Sequence, residues 1–174
     1  MMTPDQRDPI DFPSGITILP AQDDALEKLL EELLEKCPAQ FILLSEASGQ
    51  ILSIKGERGS ADIVALSSLV AGDLAASQQI ARLTGQYESF QSVLREGPQS
   101  NTFISEAGPH MILFVRVSKT VPLGWARLLI QETSRQAMEI VSISPTDIQN
   151  LELGLDEEKL SQLIGDGLDS LWNG

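Results

Sequence analysis

The sequence predicts an α+β fold in three layers, a central five-stranded antiparallel sheet with helices on both faces, in the order α-β-β-α-β-β-β-α. Three observations carry this. Helical periodicity alternates with short β-rich runs along the middle of the chain. The runs are joined by short turns, which force antiparallel neighbours. Two of them, Phe41-Ile42-Leu43-Leu44 and Met111-Ile112-Leu113-Phe114-Val115, are apolar on both faces. Strands at the centre of a sheet covered on both sides read that way, so these two are expected side by side in the middle.

Each element follows from local chemistry. Residues 1–21 carry Pro4, Pro9, Pro13 and Pro20 among polar neighbours and read as an extended, flexible leader. From Asp23 to Cys37, Leu26, Leu29/Leu30, Leu33/Leu34 and Cys37 recur with helical spacing while Glu27, Glu31, Glu32 and Glu35 fill the other face. Asp24 with Glu27 resembles a capping box, and Pro38 stops the helix. A hairpin follows, Phe41–Leu44 and Ile51–Ile54 around a turn at Glu46–Gln50. Ser60 reads as the N-cap of a long helix, Ala61–Thr84, closed by Gly85. Three strands come next, Ser89–Arg95, Thr102–Glu106 and Met111–Val117, with the first exposed at an edge. Pro122 opens a third helix that runs to Ile143. Beyond it, residues 144–174 form an acidic tail in which Leu155, Leu160, Leu163, Ile164, Leu168, Leu171 and Trp172 suit a short amphipathic helix weakened by Gly165 and Gly167.

Composition narrows the function. The chain has 174 residues, 42% hydrophobic and 21% charged, enough for one domain with a core. The net charge of −13 argues against nucleic acid and against an anionic membrane surface. It sits at the two ends, for residues 39–138 hold equal numbers of acids and bases. No apolar run reads as a membrane span and no signal peptide is evident, so a soluble, cytoplasmic protein is expected.

No catalytic residue, metal ligand set or cofactor site is expected. Phosphate-cradling and dinucleotide loops are absent. The one histidine, His110, follows Gly108-Pro109 in a turn, and the one cysteine, Cys37, sits on an apolar stripe. Neither has a relay partner in view. Glu31, Glu32 and Glu35 read as a solvated face.

The long second helix is the unusual element. It carries only Asp62, Asp73 and Arg82 as charges, and Ser68, Gly72 and Ala76 lie four apart in a strip of small residues. A helix with so few charges needs cover on more than one side. The strip either packs on the domain's own sheet or meets a second subunit. The second reading is preferred, because the edge strand Ser89–Arg95 also wants a partner. The expected dimer interface is therefore Ser68, Gly72, Ala76, Phe90, Ser92 and Leu94.

These elements and their local motifs resemble the Roadblock/dynein light chain family. The motifs are Ala47-Ser48-Gly49-Gln50-Ile51-Leu52, the Ala-, Ser- and Leu-rich second helix, Leu94-Arg95-Glu96-Gly97, and Leu123-Gly124-Trp125-Ala126-Arg127. The resemblance spans residues 22–142, and the corresponding domain is taken as 22–143. It implies a homodimer, joined edge to edge through the third strand with the second helices packed together. It implies a small Ras-like GTPase as partner. Bacterial members of the MglB type activate an MglA-type GTPase without an arginine finger, by repositioning the GTPase's own residues. Leu69 and Asp73 on the second helix, with Leu163 and Trp172 on the tail, are the expected partner-binding residues. The alternative is a structural or sensory scaffold of the profilin, longin or PAS type with no GTPase partner.

Overall fold

The computed structural model describes residues 7–88 and 91–172, with side chains through residue 169. In chain order the elements are β1 (Ile10–Asp11), β2 (Thr17–Ile18), α1 (Pro20–Lys36), β3 (Ala39–Glu46), β4 (Ile51–Gly56) and α2 (Ile63–Leu83). Then come β5 (Ser92–Glu96), β6 (Ser100–Glu106), β7 (Met111–Ser118), α3 (Leu123–Ser142), a 3-10 turn at Pro145–Asn150, and α4 (Glu157–Trp172). The main sheet is antiparallel with strand order β4-β3-β7-β6-β5. The expected fold class is borne out.

The two apolar runs are neighbours, with Leu43 opposite Phe114. Strand alternation splits them between two cores. Ile42, Leu44, Leu113, Val115 and Val117 join Leu29, Leu30, Leu33, Leu129 and Ile130 in a core under α1 and α3. Phe41, Leu43, Ile112 and Phe114 join Val70, Ala71 and Leu74 in a core under α2. There the Phe41 and Phe114 rings meet edge to face, their centroids 5.9 Å apart.

Polar ties lock the first face. The Gln22 amide donates to the carbonyls of Ile140 and Ile143 and accepts from the Leu19 N–H. It thus joins the start of α1 to the end of α3 and supplies one half of a capping box. The Trp125 indole donates to the Lys36 carbonyl at the other end of α1. Both bonds satisfy groups that helix ends leave open.

Several expectations need correction. The first helix begins at Pro20, so Asp24 and Glu27 lie inside it and cap nothing. Residues 10–18, read as part of an extended leader, form a small hairpin, and Phe12 and Ile18 are buried in the core. Four prolines disguised two apolar anchors. The cap of α2 is Asp62, which accepts from the Ala65 N–H, and Ser60 lies in the preceding turn. Pro122 is the N-cap of α3 and precedes its first turn. Glu32 is not a solvated carboxylate, since it accepts the Leu155 N–H at 2.8 Å. Finally, α2 is by length and composition apolar enough to cross a membrane, where no such helix was expected. Its scattered Ser, Gly and Gln residues interrupt every apolar run, and so hid its low charge. Here it lies on the sheet, with Ile63, Val70 and Leu74 buried.

Candidate interaction surface

The surface is made by how α2 sits. Ile63, Ser67, Val70, Ala71, Leu74 and Ala81 form its buried face. The Ser67 hydroxyl donates to the Gly49 carbonyl at 2.7 Å, pinning the helix to the β3–β4 turn. Gly49 is needed there twice over. Its φ is +93°, and a Cβ would stand 3.0 Å from the Ser68 Cα.

The other face of α2 is open. Val64 is 69% exposed, Leu69 71%, Ile80 61% and Leu83 78%. Ser68, Gly72 and Ala76 are exposed among them, and a Cβ on Gly72 would meet nothing within 4 Å. The small-residue strip therefore does not pack on the domain's own sheet. It forms a shallow floor between large apolar side chains, along the length of the helix.

Side by side with α2 runs the edge strand β5. Among the described residues it pairs only with β6, so one row of its backbone donors and acceptors faces outward. The Arg95 guanidinium grips Asp73 through Nε and Nη2, at 3.2 and 2.8 Å, and so ties the edge strand to the helix. At the C-terminal end of α2 the Arg82 guanidinium lies 4.5 Å from the centre of the Tyr87 ring.

The expected interface residues fall into three groups. Ser68, Leu69, Gly72 and Ala76 share the open face of α2, with Asp73 at its side facing Arg95. Ser92 is exposed on β5, but Leu94 packs against the α1/α3 core, on the opposite side of the sheet from α2. Alternation decides this, for Val93 takes the α2 side. Leu163 lies on α4, in a cleft with Leu128, Arg135 and Ser92. Phe90 and the Trp172 side chain lie outside the described residues. Sequence reasoning did not single out Val64, Ile80 and Leu83 as surface residues. Their spacing with Leu69 and Gly72 carries that signal, but α2 has too few charges to mark which face is wet.

The tail is tied down on the other side of the molecule. Gln136 and Gly154 exchange two hydrogen bonds, 2.7 and 3.0 Å, and Leu155 beside them is fully buried. Glu132, 6% exposed, binds Arg135, Gln136 and, at 3.4 Å, Lys159 of α4. Burial alone would raise its carboxyl pKa. The hydrogen bonds from Arg135 and Gln136 and the charges of Arg135 and Lys159 outweigh that and hold it below the usual range. The outward residues of α4 include Ile164, 42% exposed, and Leu168, 52%.

His110 is exposed in the β6–β7 turn. Cys37 is fully buried at the end of α1, and burial pushes its thiol up to about 11, away from the reactive thiolate. Among the described residues no cluster of His, Cys, Asp and Glu could hold a metal ion.

No family model matches the chain, and no curated protein matches it. Solved structures do. The gliding protein MglB of Thermus thermophilus is 28% identical with a TM-score of 0.66, over 73% of this chain and 96% of that one. An MglB with a tetrameric arrangement is 27% identical with a TM-score of 0.66, over 73% and 95%. MglB of Myxococcus xanthus is 27% identical with a TM-score of 0.65, over 69% and 90%. A Roadblock/LC7 domain from Streptomyces avermitilis, 15% identical with a TM-score of 0.58 over 65% and 94%, shares the fold. The resemblance read from the sequence motifs is borne out.

Proposed function

We propose, from the premise of a Roadblock/LC7 fold similar to MglB, that this chain is a dimeric, non-enzymatic regulator that binds a small Ras-like GTPase of the MglA type in the cytoplasm and stimulates its GTP hydrolysis. The observation that carries the reading is the open face of α2. A helix built for cover on two sides is covered on one, and its small residues let another backbone approach closely.

In the dimer the β5 edges pair and the α2 helices of both subunits form one platform. Leu69 and the Ser68/Gly72/Ala76 floor belong to that platform, and Asp73 with Arg95 holds each edge strand in place beside it. Activation then works by positioning the GTPase's own groups, for phosphoryl transfer depends mainly on geometry and electrostatics.

The test is single-turnover GTP hydrolysis by an MglA-type GTPase with and without this protein, beside sedimentation of the mixture. The wild type is expected to co-sediment and raise the rate, and Leu69→Asp to do neither while staying folded. Absence of any complex overturns the reading. Replacing His110 or Cys37 by Ala is expected to leave stimulation within a few-fold. A loss of about 100-fold, the low end of acid–base contributions, would mark a catalytic group in this chain.

A further inference from the structure

Glu46 ends β3 as a buried carboxylate, 3% exposed. It lies opposite Met111, whose side chain belongs to the core under α1 and α3, so Glu46 points to that side of the sheet as well. A buried charge is costly unless hydrogen bonds satisfy it. Here the bonds organise the β3–β4 turn. The carboxylate accepts the Ser48 N–H at 2.8 Å and the Ser48 hydroxyl. The Glu46 backbone closes the same turn, for its carbonyl accepts the Gly49 N–H and its N–H donates to the Gln50 carbonyl, both at 2.8 Å. The Ala47 N–H donates to the His110 carbonyl, also at 2.8 Å, and braces the turn against the one between β6 and β7.

This turn reaches round the end of the sheet to α2. Its Gly49 carbonyl accepts the hydroxyl of Ser67, which is fully buried on the underside of the helix. Leu69 and Gly72 follow on the open face, before the Asp73–Arg95 pair takes hold. The groups that bear on the Glu46 carboxylate are Ser48 of its own turn, Ser14 of the β1–β2 hairpin and His110 of the β6–β7 turn. Burial alone would raise its pKa. The hydrogen bonds from Ser48 and Ser14 and the charge of His110 outweigh that and hold it below the usual range.

We propose that Glu46 is a positioning residue for α2. From the α1/α3 side of the sheet its carboxylate sets the β3–β4 turn, and the Gly49 carbonyl of that turn sets where the first half of the helix lies on the other side. Leu69 and the start of the small-residue floor are carried with it. A charged acceptor suits this task, since its hydrogen bonds are about twice as strong as neutral ones. The link concerns the geometry of the open face within one chain and does not depend on the GTPase reading.

The experiment is amide hydrogen exchange of the full chain, residue by residue, in the wild type, Glu46→Gln, Ser67→Ala and the double variant. Ser67→Ala is expected to lower protection in the first half of α2 about tenfold, as for loss of one buried hydrogen bond. Glu46→Gln keeps the shape and removes the charge, and is expected to lower it several-fold while α1 and α3 keep theirs. The double variant is expected to lose no more than Ser67→Ala alone, because both changes act through the same bond. In the wild type, protection there is expected to fall as the pH drops below the ordinary carboxyl value of 4.5 and on through the lower folded-state value, after correction for the intrinsic rate. Glu46→Gln should lack that step. If Glu46→Gln does not fold, Ser48→Ala, at an exposed position of the turn, removes the hydroxyl from the same carboxylate and is expected to give the same regional loss. Unchanged protection in α2, losses that add in the double variant, or an equal loss in α1 and α3 overturns the proposal.

Discussion

The two faces of the sheet are built to different standards. Among the described residues, twenty-two buried apolar side chains make the core under α1 and α3, and nine make the core under α2. The first face is closed at both ends by side-chain-to-backbone hydrogen bonds from Gln22 and Trp125, and the tail is laced over it by Gln136 and Glu32. The second carries one helix whose outward face exposes the large apolar side chains of Val64, Leu69, Ile80 and Leu83 around a strip of small residues. The difference teaches a division of labour. One face is closed within the chain, and the other leaves large apolar side chains at the surface, as the proposed platform requires.

The comparison breaks most simply through substitutions of like size on each face. Leu129→Ala, on the closed face and fully buried, should cost about 2–5 kcal/mol in denaturant unfolding. Leu69→Ala, 71% exposed on the open face, should change stability by no more than about 0.5 kcal/mol. Equal costs would mean that α2 is already covered within the single chain.

Gly72→Leu sharpens the contrast. Nothing lies within 4 Å of the new Cβ, and glycine in mid-helix is unfavourable. The single domain should therefore gain about 0.5–1 kcal/mol, while sedimentation shifts from dimer to monomer because the close approach is blocked. A misfolded variant would place the strip in the core after all.

Acid should loosen the closed face first. The carboxyl of Glu132 is held below its ordinary value of 4.5, so its contribution to stability is complete above that pH. It is lost as the pH falls through the lower, folded-state value. Melting temperature should drop as the pH falls below the ordinary carboxyl value of 4.5 and on through the lower folded-state value in the wild type, and Glu132→Gln should start lower and fall less steeply. Parallel curves would assign the acid sensitivity elsewhere.

The smallest expected effect is at Cys37. With its thiol pushed up to about 11 and no exposure, it should resist alkylation at about pH 8 until the domain unfolds. Rapid labelling of the native protein would show that the end of α1 opens.

How much of this was legible depends on whether a pattern is local. The doubly apolar runs at 41–44 and 111–115 revealed the central pair, because alternation is lost only where both faces are covered. Gly85 and Pro38 marked helix ends for backbone reasons that need no neighbours. The strip at Ser68, Gly72 and Ala76 was visible, and so was its need for close contact. Which way it pointed was not, since a helix almost without charge has no polar face to orient it. Tertiary packing made that choice by taking Val70 and Leu74 for the sheet and leaving Leu69 and Leu83 outside. The same holds for polar pairs distant in sequence. Asp73 with Arg95, Glu32 with the Leu155 N–H, and Gln136 with Gly154 each join elements whose separation along the chain hides the partner. Periodicity and turn chemistry are properties of neighbours in sequence, so the sequence alone determined the elements, their order and the central strands. Burial and ion pairing are properties of neighbours in space, and only the packed sheet decided which face of α2 stays open.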